Sequence, residues 1–367
     1  MSSDVYFAGL RARNPGQSTA AKVRMLFDRA GFGACIVPGA PAAIKIHFGE
    51  EGNDSFISPV FVRQVVDRIR EHGGRPFLTD SNTLYLGSRS DAVNHITTAL
   101  EHGFGYATVR APVIIADGLS GNNFREIEIG KTHFSRVLIS GDIADVSSLV
   151  VISHFKGHEP AGFGGAIKNL AMGCAPPKGK QEQHTARPLT LEERCIGCGE
   201  CVLICPRSAI RLEDRRSAID RERCIGCFEC MTICPEEAVD IDWETDIPPF
   251  IERMVEYAYG AALGKKAGYF NFLTNITPDC DCVGWSDAPV VPDIGILASR
   301  DPVAIDAASF DLVNRQPGLP HSFLKRNFGE GEDKFRGMRW NTDGYRQIRY
   351  AEEIGLGTAS YRLVEIG

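Results

Sequence analysis

CIGCGECVLICPRSAIRLEDRRSAIDRERCIGCFECMTICPEEAV, residues 195–239, holds eight of the chain's twelve cysteines. Cys195, Cys198, Cys201 and Cys205 precede Pro206, and Cys224, Cys227, Cys230 and Cys234 precede Pro235. The stretch is therefore an internal repeat of C-x2-C-x2-C-x3-C-P. Three thiols at i, i+3 and i+6 can wrap a tight loop around one polynuclear centre. The fourth sits on the short helix leaving that loop and points the other way. The proline pushes the residue before it out of helical geometry and so ends that helix. Each copy runs on into a short strand, Ile210–Leu212 and Val239–Ile241.

The spacing is that of bacterial ferredoxins with two 4Fe–4S clusters, in which the fourth cysteine of each run ligates the other cluster. It assigns cluster one to Cys195, Cys198, Cys201 and Cys234, and cluster two to Cys205, Cys224, Cys227 and Cys230. Gly197 and Gly226 allow close backbone approach to the sulfides. Ile196, Val202, Ile204, Ile225, Phe228 and Ile233 are expected to bury the clusters and, with nearby N–H groups, tune them. Zinc would want two separated C-x2-C pairs and gives no role to a third and fourth cysteine in each run. Disulfides belong to oxidising compartments and small secreted chains. The module is expected over residues 187–246, as two pseudo-symmetric halves around one small core.

At 367 residues the chain is too long for a ferredoxin alone. Its 43% apolar and 24% charged content reads as a globular protein. A net charge of −7 and the lack of a basic stretch interleaved with aromatics argue against nucleic acid. No apolar run reaches membrane-spanning length, and the N-terminus has no signal-peptide pattern, so a cytoplasmic location is expected.

Outside residues 187–246, strands alternate with helices, which argues for an α/β domain built on a mostly parallel sheet with flanking helices. The small α+β dicluster module is expected to interrupt it. Residues 1–186 would form its first part and 247–367 its second. A two-domain chain with the module as linker is the alternative. Strands are expected near Ala43–Phe48, Pro76–Thr79, Val113–Ala116, Ser148–Ser153, Tyr269–Thr274, Asp293–Ala298 and Tyr361–Ile366. Helices are expected after Ser18, Ser58, Ser90, Gly165 and Asp301, from Pro248-Pro249 through Ala262, and near Tyr345–Glu353, with Gln316–Asn341 irregular.

Residues 147–173, SSLVVISHFKGHEPAGFGGAIKNLAMG, run from a strand through a glycine-rich loop into a helix. Ligands of open α/β sheets bind beyond strand C-termini, at such helix starts. Gly162, Gly164, Gly165, Lys156 and Asn169 are candidates for an anion site, against the plainer reading of a tight turn. His154, His158 and Lys168 are candidate acid/base or charge-bearing catalytic groups. Asp80, Ser81 and Asn82 follow another strand at the same edge, and Lys45 and His47 alternate along a third. A buried lysine on a core strand is uncommon unless paired or functional. Cys280 and Cys282, in PDCDC, could hold an extra metal with Cys174, or be an inert turn. Cys35, in an apolar run, reads as core. Asp301 reads as a helix N-cap.

GAIKN (165–169), TDSNTLY (79–85), PDCDC (278–282) and ASRDPVAIDAASFD (298–311) together resemble the family catalogued as domain of unknown function 362. Its cluster-bearing members are called uncharacterised Fe–S centre proteins. The resemblance spans nearly the whole chain and implies this architecture, with no catalytic assignment to transfer. The expected function is that of a 4Fe–4S redox protein: an iron–sulfur oxidoreductase passing electrons to a small anionic substrate at the sheet edge. A non-catalytic carrier or adaptor docking an enzyme, and a redox sensor with structural clusters, are the alternatives. A reductase or ferredoxin is the expected redox partner.

Overall fold

The computed structural model describes residues 2–84, 87–184, 187–227, 229–241 and 247–366. Tyr85 and Phe228, which enter the readings above, lie outside the described residues.

Eight strands form one sheet: β1 (Ser3–Gly9), β2 (Pro41–Ile46), β3 (Arg75–Asp80), β4 (Val113–Ile115), β5 (Ser148–His154), β6 (Lys266–Leu273), β7 (Gly295–Ser299) and β8 (Tyr361–Glu365). Their order is β8-β1-β7-β6-β5-β2-β3-β4. The run β6-β5-β2-β3-β4 is wholly parallel, and only β7 is reversed, antiparallel to both β1 and β6. This is the mostly parallel α/β sheet that the alternation of strands and helices predicts. Strands β1–β5 precede residue 187 and β6–β8 follow 246, so one sheet is built from both sides of the cysteine repeat.

Strands buried on both faces need continuous apolar runs, and β5 supplies one. Leu149 and Val151 pack with helices α4 (Ala166–Cys174), α5 (Ile247–Ala262) and α6 (Pro302–Asn314). Val150 and Ile152 face α1 (Thr19–Arg29) and α2 (Pro59–Glu71). Ser18 caps α1 as expected, accepting from the Ala21 N–H. In α2 the apolar stripe is Val62, Val65, Val66 and Ile69, whereas Val60 is exposed. Helix α3 (Ala92–Ala99) is capped by Asp91, not Ser90: the Asp91 carboxylate accepts from Val93 and Asn94. Asp301 caps α6, accepting from Val303 and Ala304. A short helix, Lys334–Met338, interrupts the segment expected to be irregular.

Between the two halves of the sheet lie the short helices Glu200–Ile204 and Glu229–Thr232. The strand Ile210–Glu213 pairs antiparallel with Arg216–Ile219, and Val239–Ile241 with Pro188–Thr190. A separate small core gathers Cys201, Ile210, Cys230 and Val239, two residues from matching positions of each repeat. Ile225 is buried, but Ile196, Ile204 and Ile233 are exposed, contrary to expectation. With so small a core, positions of the repeat that point away from it, on the loops as well as the helices, meet solvent. Among the described residues, no helix is long and apolar enough to cross a membrane.

Candidate functional site

Two cavities in the cysteine repeat each collect four thiols. One is lined by Cys195, Cys198, Cys201 and Cys234, the other by Cys205, Cys224, Cys227 and Cys230. In each, the fourth thiol comes from the other copy of the motif. All twelve cysteines are free thiols. Backbone N–H groups of Ala209, Ser217, Gly226 and Ala238 donate to the sulfurs of Cys205, Cys195, Cys224 and Cys234 at 3.2–3.4 Å. Gly197 has φ +71, and a Cβ there would lie 2.2 Å from the Arg215 carbonyl oxygen, so only glycine fits the loop. Among the described residues, no group of three or more His, Cys, Asp or Glu is arranged to hold a single metal ion. A four-iron cube spreads its thiolates wider than one ion does. The donor chemistry of both sets, all sulfur with N–H donors aimed at it, fits such a cube.

A cavity of about 140 Å3 opens at the sheet edge, where the C-terminal ends of β2, β3, β5 and β6 meet the repeat. From the sheet side it is lined by His47, Asp80, Arg89, His158, Lys168, Lys180, Cys280 and Cys282; from the repeat come Cys227 and Glu229. One wall of this cavity is thus also a wall of the second four-cysteine cavity.

Beneath it lies a buried charge network. Lys45 pairs with Asp80 at 2.9 Å and donates to Asn169 Oδ1 at 2.7 Å. Arg89 donates to Glu50 at 3.0 Å, faces His47 Nε2 at 3.0 Å, and stands 3.8 Å from Asp80. Burial and the Arg89 charge hold His47 well below the usual imidazole range. The Lys180 ammonium donates to Ser81 Oγ, Asn82 O and Ala175 O, and burial brings it down to about 8.

The expected catalytic groups separate. His158 and Lys168 line the cavity. His158 Nδ1 accepts from the Ala161 N–H, leaving Nε2 as its donor, and burial and Lys168 keep the ring neutral. His154 does not line the cavity. Its Nδ1 faces Asp281 Oδ1 at 2.8 Å and its Nε2 faces the carbonyls of Thr274 and Asn275, so the ring serves as a brace for the Cys280–Cys282 loop.

The glycine-loop anion site is corrected by the structure. Lys156–His158 pairs antiparallel with Gly162–Gly164, so the loop is a small hairpin. The start of α4 is already filled: the Asp306 carboxylate accepts from Ala166 and Ile167 at 2.8 and 2.9 Å. A Cβ on Gly165 would lie 2.4 Å from Asp306 Oδ1. Lys156 donates to the His154 carbonyl and stands 3.4 Å from Asp281, and Asn169 is held by Lys45, Ile152 and Ser153. The anion at this helix is a side chain of the protein itself. Replacing it, as D306A, should strand two helix N–H groups and the Asn271 amide in the core. The expected loss is roughly 3 kcal/mol in urea unfolding, with D306N recovering part of it.

Cys174 is not joined to Cys280 and Cys282. It packs in the core beside α5, and burial pushes its thiol up to about 11. Cys35 is also core, as expected. Cys280 receives the Lys168 ammonium at 3.3 Å and a hydrogen bond from Cys282. Arg89, Glu50, Lys180 and Glu229 were missed in the sequence. No local pattern marks Arg89; Lys180, in PPKGK, follows a proline pair that opens the helix Pro177–Gln183 and turns it under Ser81.

No curated protein matches the sequence. Among solved structures, the lactate racemase apoprotein from Thermoanaerobacterium thermosaccharolyticum is similar over 81% of this chain, at 12% identity and a TM-score of 0.41. The chain spans 57% of that protein's length. The model of one family, Domain of unknown function (DUF362), matches residues 42–311. With most of its length matched, including both halves of the sheet's parallel core and the cavity between them, the chain belongs to the DUF362 family.

Proposed function

We propose that the chain is an iron–sulfur redox protein in which residues 187–246 form a ferredoxin-like insert holding two 4Fe–4S clusters. Cys195, Cys198, Cys201 and Cys234 would hold one, and Cys205, Cys224, Cys227 and Cys230 the other. The observation that carries this reading is the sorting of eight thiols into two four-cysteine cavities, each completed across the repeat. Bound there, such clusters supply reversible one-electron transfer.

The placement of the two sets supports an enzyme over a free-standing carrier. Cys198 is exposed at the surface, suited to a docking reductase or ferredoxin, while Cys227 borders the sheet-edge cavity. Lys168, Lys180 and Arg89 bring positive charge to that cavity for a small anionic substrate. His158, neutral and with Nε2 as donor, is placed to hydrogen-bond an anionic group, and Lys168 to orient charge. Anaerobically purified protein should contain about eight irons and eight acid-labile sulfides per chain and show a reducible visible band. Zinc in place of iron, or a chain free of sulfide after anaerobic reconstitution, would overturn the reading.

A further inference from the structure

We propose that Cys280 and Cys282 form a thiol–disulfide exchange centre that acts on small-molecule disulfides. The inference rests on the reading above only for the electrons that reset the pair.

Both thiols line the sheet-edge cavity, and Asp281 between them is anchored away from it. Asp281 Oδ1 binds His154 Nδ1 at 2.8 Å and Ser55 Oγ at 3.0 Å, and its carbonyl accepts from Glu50 N–H. The Val283 N–H donates to the Cys280 carbonyl, closing a turn. This network fixes the backbone under the thiols. Two cysteines two apart in a turn can meet the Cα separation that a disulfide spans.

The two sulfurs are not equivalent. Lys168 Nζ donates to Cys280 at 3.3 Å, and Cys282 donates its thiol proton to the same sulfur. That donation, with Lys168 and Lys156, outweighs burial and lowers Cys280, while Cys282 is raised. Cys280 is then the thiolate nucleophile and Cys282 the resolving thiol, the division of labour of a reactive pair.

The chemistry balances within the cavity. Cys280 Sγ attacks one sulfur of the substrate, a mixed disulfide forms, and the substrate S–S bond breaks. The departing thiolate takes the Cys282 proton. Cys282 Sγ then attacks Cys280 Sγ, breaking the mixed disulfide and releasing the second thiolate. One disulfide has been reduced to a thiol and a thiolate, and the cysteine pair has been oxidised by two electrons. Two electrons and one proton return the pair to its starting state. A low-potential iron–sulfur donor beside Cys227 is the class of reductant that the reading above provides.

The test uses oxidised glutathione as the probe on the full-length protein under nitrogen, followed by alkylation and peptide mass analysis. The peptide holding Cys280 and Cys282 should become an internal disulfide that resists alkylation until reduced. C282S should trap a glutathione adduct on Cys280, C280S should trap none, and K168M should slow adduct formation at neutral pH about tenfold. Unchanged alkylation of both thiols in the wild-type protein, or an adduct on Cys282 in C280S as fast as that on Cys280 in C282S, would overturn the proposal. Iron content measured on the same samples reports the clusters independently, so either reading can fail alone.

Discussion

C230A should cut the iron bound per chain from about eight to about four and leave residues 187–246 open to protease, while the large sheet persists. Cys230 is one of the two most buried thiols of the repeat, at 6% exposure, and packs with Cys201, Ile210 and Val239. Four residues of core cannot hold a segment of this size by burial alone, and a bound metal centre would supply much of its folding free energy. The set that includes Cys230 draws Cys205 from the first copy of the motif, so its loss also frees the end of the first short helix. C198A, at the exposed edge, should likewise lose about four irons with less damage to the core. Iron assay and limited proteolysis on anaerobic protein read both effects. Retention of all the iron by C230A would show that this cysteine is no ligand.

The two four-thiol sets are legible because the positions within each run are local, and the cross-over of the fourth thiol follows from the short helix. The parallel sheet is legible for a similar reason, since Leu149–Ile152 is too apolar to face water on either side. Strand β1 escaped notice because its partners, β7 and β8, lie at the far end of the chain. The anion at α4 was anticipated at the right helix and with the wrong source. Its source, Asp306, lies 140 residues away in a motif whose nearer aspartate, Asp301, has an evident capping role. Ser90 and Asp91 compete for one cap, and local sequence does not decide between neighbours that can each accept from the same N–H groups. Arg89 joins the site through Glu50 and His47, about forty residues back, and Asp80, nine residues back, none announced by spacing.

K45M should destabilise the fold by about 3–5 kcal/mol at neutral pH, because it strips the nearest countercharge from a carboxylate that is shut away from water. Lys45 is fully buried on β2 and Asp80 nearly so at the end of β3. Burial alone would raise Asp80; Lys45, His95, His47 and Arg89 outweigh it and hold the carboxyl well below its usual range. A depressed carboxylate stabilises fully above its unfolded value, about 3.9, and loses that contribution as pH falls through the folded value. Without Lys45 the sign reverses, since Arg89 at 3.8 Å and His95 at 3.7 Å are poorer partners and burial dominates. The folded carboxyl of K45M should then bind its proton more tightly than the unfolded one, so its deficit is full at pH 7 and shrinks on acidification. Urea unfolding at pH 7 and pH 5 checks this. The deficit should be clearly smaller at the lower pH, and K45M/D80N should recover most of the loss at pH 7, because no uncompensated charge remains. An equal deficit at both pH values, with no recovery in the double variant, would mean that Lys45 acts through packing and its bond to Asn169, and that the charge network under the cavity floor carries little of the stability.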